Sequence, residues 1–97
     1  MNWKEIVKHD IQVYSTPWCS DCRRLKDRLR EEGVRYTEVN IDEDPKAAEY
    51  LVEKTGHKAI PYVEIDKKWL IRGWHKEKSN GWDDSTFFSE IEAVLNA

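Results

Sequence analysis

The run Tyr14-Ser15-Thr16-Pro17-Trp18-Cys19-Ser20-Asp21-Cys22-Arg23-Arg24-Leu25 decides the fold. Just upstream, Ile11-Gln12-Val13-Tyr14 has the β-branched and aromatic content of a short strand, and Ser15-Thr16-Pro17 is a turn signal. Downstream, Cys22, Leu25 and Leu29 recur at three- and four-residue steps between charged positions. That spacing predicts a helix from Cys19 to Glu32, and Gly33 supplies a left-handed stop. Cys19 therefore stands where a strand gives way to a helix. Cys22, one turn deeper, shares a face with two leucines.

Reading outward, Val34 to Ile41 contains Tyr36-Thr37-Glu38-Val39-Asn40-Ile41, whose partial alternation predicts a second strand. A strand, helix, strand order implies a parallel crossover. Asp44-Pro45 is a helix start, because Asp accepts free N–H groups and Pro is tolerated at the first helical position. Ala48, Leu51, Val52 and Thr55 line one face of that helix, and Gly56 ends it. Ile60 to Ile65 and Trp69 to Arg72, separated by Asp66-Lys67-Lys68, read as a hairpin. Trp82-Asp83-Asp84 offers an Asp cap and a staple from Trp82 to Phe87. A last helix follows, with Phe87 or Phe88, Ile91, Val94 and Leu95 facing the sheet. Residues 2–8 carry a further helical turn with Trp3, Ile6 and Val7 on one side. The expected fold is α/β, ordered βαβαββα, with a four-stranded mixed sheet flanked by helices. The 97 residues are read as a single domain over 1–97, too small for a second cofactor-binding unit.

Charge narrows the function. Nineteen Asp and Glu against 16 Lys and Arg give a net charge of −3, with no basic stripe for nucleic acid. No apolar run approaches the roughly 20 residues that span a bilayer, and Met1-Asn2-Trp3-Lys4-Glu5-Ile6 lacks a secretory apolar stretch. The expectation is a cytoplasmic chain, monomeric, with neither nucleic acid nor membrane as partner. In such a setting two cysteines are too few for a disulfide scaffold. They do redox chemistry, or they form half of a metal site, or they are small core hydrophobes. A zinc site needs two further ligands, and His9, His57 and His75 are scattered without ligand spacing. No metal site is therefore expected.

The first turn of a helix presents unpaired N–H groups and the positive end of its dipole, so a sulfur there is stabilised as thiolate. Cys19 is thus read as the nucleophile, with Pro17 setting the turn and Trp18 supplying an apolar wall. Cys22, facing the core, holds its proton more tightly and resolves the mixed disulfide. Asp21 opposes a thiolate and Arg23 and Arg24 favour it, and the sequence leaves that balance open. A second feature is Ile60-Pro61, a proline at the start of a strand pattern that removes a ladder donor. A cis bond there would expose the Ile60 main chain to an extended substrate, whereas a trans proline on an edge strand is the alternative.

Together, residues 14–26, Tyr36 to Asp42 and Gly56-His57-Lys58-Ala59-Ile60-Pro61 resemble the glutaredoxin family, in particular its bacterial mycoredoxin-type members, over residues 11 to about 72. The resemblance implies a thioredoxin-like fold, attack by Cys19, resolution by Cys22, and a backbone clamp on a thiol at Ile60 and Pro61. Thr16 stands where glutathione-using members carry Lys, and Asp21 where they carry an aromatic residue. His57 and Lys58 replace a Gln and an Arg that face the cofactor carboxylate, so Lys58 restores some charge. Gly73 and Gly81-Trp82-Asp83-Asp84 match the two ends of a Gly-Gly-x-Asp-Asp segment whose helix N-terminus takes a carboxylate. Between them, Trp74-His75-Lys76-Glu77-Lys78-Ser79-Asn80 is an insertion at the rim of the site. Trp18, Trp74 and Trp82 are read either as an exposed collar for a protein partner, or, for Trp74 and Trp82, as packing at the element ends.

The expected activity is reduction of protein or mixed disulfides without a tightly bound cofactor. A low-molecular-weight thiol, glutathione or another, or a flavoprotein reductase would restore the dithiol. The alternatives are a hydrogen donor served by thioredoxin reductase, of the ribonucleotide-reductase type, and an adaptor holding an iron–sulfur centre through Cys19 of two chains.

Overall fold

A computed structural model describes residues 1–75 and 82–96. The elements are α1 (Trp3–Ile6), β1 (Ile11–Ser15), α2 (Ser20–Glu31), β2 (Thr37–Asn40), α3 (Pro45–Thr55), β3 (Tyr62–Ile65), β4 (Trp69–Arg72) and α4 (Asp84–Leu95). The strands form one sheet in the order β2-β1-β3-β4. β1 and β2 are parallel, while β3 is antiparallel to both β1 and β4. This is the four-stranded mixed sheet that the sequence implies. The short N-terminal turn anticipated over residues 2–8 narrows to one helical turn capped by Asn2.

Alternation along the strands sorts the core into two layers. Ile11 and Val13 of β1 and Val63 and Ile65 of β3 pack with Leu25 and Leu29 of α2, Phe87 and Ile91 of α4, and Ile6 of α1. On the opposite face Tyr14 and Tyr62 pack with Leu51 of α3. A period of two in β1 and β3 thus supplies both faces from the same strands. Each wholly buried Leu of this set contributes about 1.5–3 kcal/mol. Residue Phe88, offered as an alternative to Phe87, is only half-buried and meets the edge of Trp3 with ring centroids 5.1 Å apart.

Local chemistry fixes the ends of α3: Asp44 accepts Ala47 N–H at 3.1 Å, Pro45 opens the helix, and Gly56 closes it at φ 87°. A buried carboxylate ties this helix to the sheet. Glu64, 4% exposed on β3, accepts a hydrogen bond from Tyr14 at 3.2 Å and another from Tyr50 of α3. Burial, reinforced by Glu64, pushes the Tyr50 hydroxyl up to about 12 and raises Tyr14 as well. The second strand is shorter than the sequence pattern: β1 offers partners only from Gln12 to Ser15, so pairing stops at Asn40. Of the insertion anticipated over 74–80, residues 76–80 lie outside the described residues, as does Gly81.

Candidate active site

β1 ends at Ser15, and the next four residues turn the chain into α2. Cys19 N–H meets the Thr16 carbonyl at 3.4 Å, with Pro17 at the second position of that turn, where its fixed φ suits the geometry. Cys19 is the N-cap of α2: its backbone is extended (φ −85°, ψ 113°) and its Sγ accepts Cys22 N–H at 3.1 Å. A sulfur thus fills the place that a Ser or Asp oxygen usually takes, and the backbone donor and the helix N-terminus place partial positive charge against it.

The two sulfurs differ in environment. Both thiols are free; Cys19 is partly exposed, whereas Cys22 is 0% exposed. Burial, and then the contact with Cys19, push the Cys22 thiol up to about 12, so it holds its proton at neutral pH. The charge balance left open at Asp21 is met locally, since Arg24 donates to its carboxylate at 2.9 Å. Across the helix, Lys26 pairs with Glu38 of β2 at 2.8 Å.

Cys19 opens into a cleft of about 330 Å³, walled by Trp18, Lys58, Ile60, Pro61, Arg72 and Trp74 among others. The Ile60-Pro61 bond is cis, the first of the two arrangements the sequence allowed. Pro61 is held from behind, its carbonyl accepting Gly73 N–H at 3.0 Å. The tertiary fold therefore brings Cys19, Trp18, Lys58, Ile60 and Pro61 together from two separate stretches of chain. Trp18 is 71% exposed, and its indole N–H donates to Asp42 at 2.7 Å.

The remaining residues singled out from the sequence also make contacts within the fold. Thr16 points inward, 2% exposed, its Oγ1 without a hydrogen-bond partner among the described residues, and Pro17 faces solvent; neither is a wall of the cleft. Asp83 caps α4, accepting Ser85 N–H at 3.0 Å. Asp84 receives Trp82 at 2.6 Å, Arg28 at 2.9 Å and Trp3 at 3.4 Å. Burial opposes its charge, but these donors outweigh it and hold the carboxyl below the usual range. Trp82 is half-buried against Phe87, with centroids 5.0 Å apart, which is the anticipated staple, and against Trp74 at 5.9 Å. Packing at the element ends thus describes Trp74 and Trp82, leaving Trp18 as the exposed tryptophan of the three. Arg72 and Asp42 were not singled out from the sequence. The hairpin carried the signal for Arg72: pairing it with Tyr62, as β4 does, sets it beside Pro61.

Comparison with known proteins agrees with this geometry. Residues 11–70 match the glutaredoxin family. The chain belongs to the glutaredoxin family. That family consists of thiol-disulfide oxidoreductases, as the resemblance implied. Among relatives, an uncharacterized glutaredoxin-like 8.6 kDa protein in the rubredoxin operon of Clostridium pasteurianum is 30% identical over 66 residues, covering 68% of this chain and 87% of its own. The glutaredoxin-like protein NrdH of Lactococcus lactis subsp. cremoris is 36% identical over 56 residues, 58% of this chain and 76% of its own. Among solved structures, the thioredoxin-like protein BC3987 superposes with a TM-score of 0.59 at 30% identity, covering 73% of this glutaredoxin-family chain and 96% of its own. Among the described residues, no helix is long and apolar enough to cross a membrane.

Proposed function

We propose that this chain reduces disulfides of proteins, or mixed disulfides, by a two-cysteine mechanism. The supporting observation is the asymmetry of the pair: Cys19 opens into a cleft at a helix N-terminus, while Cys22 is buried and protonated one turn below. Cys19 thiolate attacks one sulfur of the substrate, forming a Cys19–substrate disulfide and releasing the other sulfur as a thiolate. Cys22 sulfur then attacks Cys19 sulfur, its proton passing to the departing substrate thiolate. The first-released thiolate takes a proton from solvent, so the substrate leaves as two thiols, reduced by two electrons, and the protein is left with a Cys19–Cys22 disulfide. The main chain at Ile60 and Pro61 lies along the cleft wall, where it aligns an extended substrate segment, and Lys58 attracts a carboxylate.

The reduced form is restored by an external donor, a flavoprotein reductase or a low-molecular-weight thiol, with no tightly bound cofactor. The NrdH relative favours the reductase route, and Thr16 and Asp21, which replace the Lys and aromatic residue of glutathione users, point the same way. A coupled NADPH assay tests this reading. With thioredoxin reductase the protein turns over a disulfide substrate faster than with glutathione and glutathione reductase; the reverse order assigns the thiol route. Cys19→Ser abolishes both, and Cys22→Ser retains only the formation of a mixed disulfide. Full reductase activity in Cys19→Ser sinks the mechanism. A coloured dimer after anaerobic purification would instead favour the iron–sulfur alternative.

A further inference from the structure

A second hollow of about 680 Å³ adjoins the Cys19 cleft. Lys58 is a wall of both, and Asp42, a wall of the second, accepts the indole N–H of Trp18, a wall of the first. The two therefore form one continuous surface with the exposed Trp18 ring between them. The floor of the second hollow is apolar, from Ile41, Ala48 and Val52, and its rim carries three carboxylates, Asp42, Glu49 and Glu53, against the one cation Lys58. Glu49 and Glu53 are four residues apart on α3, so they lie one above the other on the same face and act together. An aliphatic stem ending in a positive charge matches an apolar floor with an acidic rim, since Lys and Arg lay their methylenes on apolar surface while the head stays at the water boundary.

We propose that this hollow receives a Lys or Arg side chain of the protein substrate, a few residues from the cysteine that Cys19 attacks. The inference rests on Cys19 being the nucleophile. The surface then selects disulfides embedded in basic segments: the Trp18 face covers the peptide between the two hollows, and the carboxylates of α3 fix its direction. Asp42 acts as a positioning residue, holding the indole at the junction. Selection comes from exposed ion pairs, so it acts on encounter and weakens with salt.

Two synthetic peptides test it, each with one cysteine blocked as a mixed disulfide with 2-mercaptoethanol, one flanked by lysines and the other by glutamates. A small neutral disulfide, 2-hydroxyethyl disulfide, is the reference. In each reaction Cys19 forms a new S–S bond, the substrate S–S bond breaks, and the expelled thiolate takes a proton from solvent. Wild-type reduced protein reacts with the lysine peptide about three- to ten-fold faster than with the glutamate peptide at low salt, the size expected for a few exposed pairs, and the ratio shrinks at high salt. Glu49→Lys/Glu53→Lys removes or inverts the ratio while its rate with 2-hydroxyethyl disulfide stays within about two-fold of wild type, and Glu49→Gln/Glu53→Gln gives an intermediate ratio. Equal rates for the two peptides in wild type, or an unchanged ratio in both double variants, overturns the docking proposal alone. Failure of wild type to reduce any of the three disulfides overturns the assignment of Cys19, and the docking proposal with it.

Discussion

Cys22 should be the slow cysteine of the pair. Its thiol rises from an ordinary value of about 9 to about 12, chiefly because the side chain is wholly buried, which thins its thiolate about a thousand-fold at neutral pH. Only the thiolate reacts with iodoacetamide, so Cys22 should alkylate at least about a thousand-fold more slowly than an ordinary thiol in the folded, reduced protein. Cys19, open to the cleft, is modified first. The assay is mass spectrometry of quenched time points on native protein from pH 6 to 9, with urea-unfolded protein as the reference. The same burial has a stability consequence whose sign is fixed. The native state holds the Cys22 proton more tightly than the unfolded chain, so its contribution is full below about pH 9 and is lost as pH rises through about 12, at about 1.4 kcal/mol per pH unit. Tyr14 and Tyr50, also raised, add to this alkaline loss above about pH 10. Cys22→Ala should flatten the portion between about pH 9 and 10. Simultaneous alkylation of both cysteines in the native protein, or an alkaline limb unchanged by Cys22→Ala, would refute the reasoning.

A methyl group on Gly73 would sit 2.6 Å from Leu25 Cδ2 and 3.2 Å from the Pro61 carbonyl, and Leu25 is 0% exposed with nowhere to retreat. Gly73→Ala should therefore cost about 1–3 kcal/mol and lower Tm by about 5–15 °C in a thermal melt, and a shift under about 2 °C would count against the packing. In the β3–β4 turn, Asp66 and Lys67 adopt φ of 53° and 58°, with Lys68 N–H bonded to the Ile65 carbonyl at 3.0 Å. Lys67→Gly should stabilise by about 0.5–1 kcal/mol in urea, because glycine takes that conformation without a Cβ clash. Asp66 and Asp84 both have carboxyls held below their ordinary range: burial opposes this, but His9 and the Asp10 N–H in one case, and Trp82, Arg28 and Trp3 in the other, prevail. Their stabilisation is present above about pH 4 and is lost as pH falls through the lower native values, so urea stability should drop on the acid side. Asp84→Asn should flatten that drop and cost about 1 kcal/mol at pH 7, discounted for a side chain that is 39% exposed; an unaltered acid limb in this variant argues against the pairing.

What the residues alone determined was local. The cysteine at a strand-to-helix junction, the Asp44-Pro45 start and Gly56 stop of α3, the β3–β4 hairpin and the Trp82 staple on Phe87 all rest on backbone hydrogen bonds or side-chain steps within ten positions, so the order of residue types suffices to write them. The cis bond before Pro61 was one of two arrangements the local pattern allowed. Packing chose the uses of the remaining polar and aromatic groups. Asp84 joins an internal cluster because α1 and α2 bring Trp3 and Arg28 to it across 81 and 56 positions of chain. Arg72 reaches the cleft through strand register, and Trp74 is partly covered because Trp82 packs against it. Such contacts depend on how whole elements stack, and the free energy that stacks them is apolar burial summed over the core, which no short stretch of sequence carries by itself.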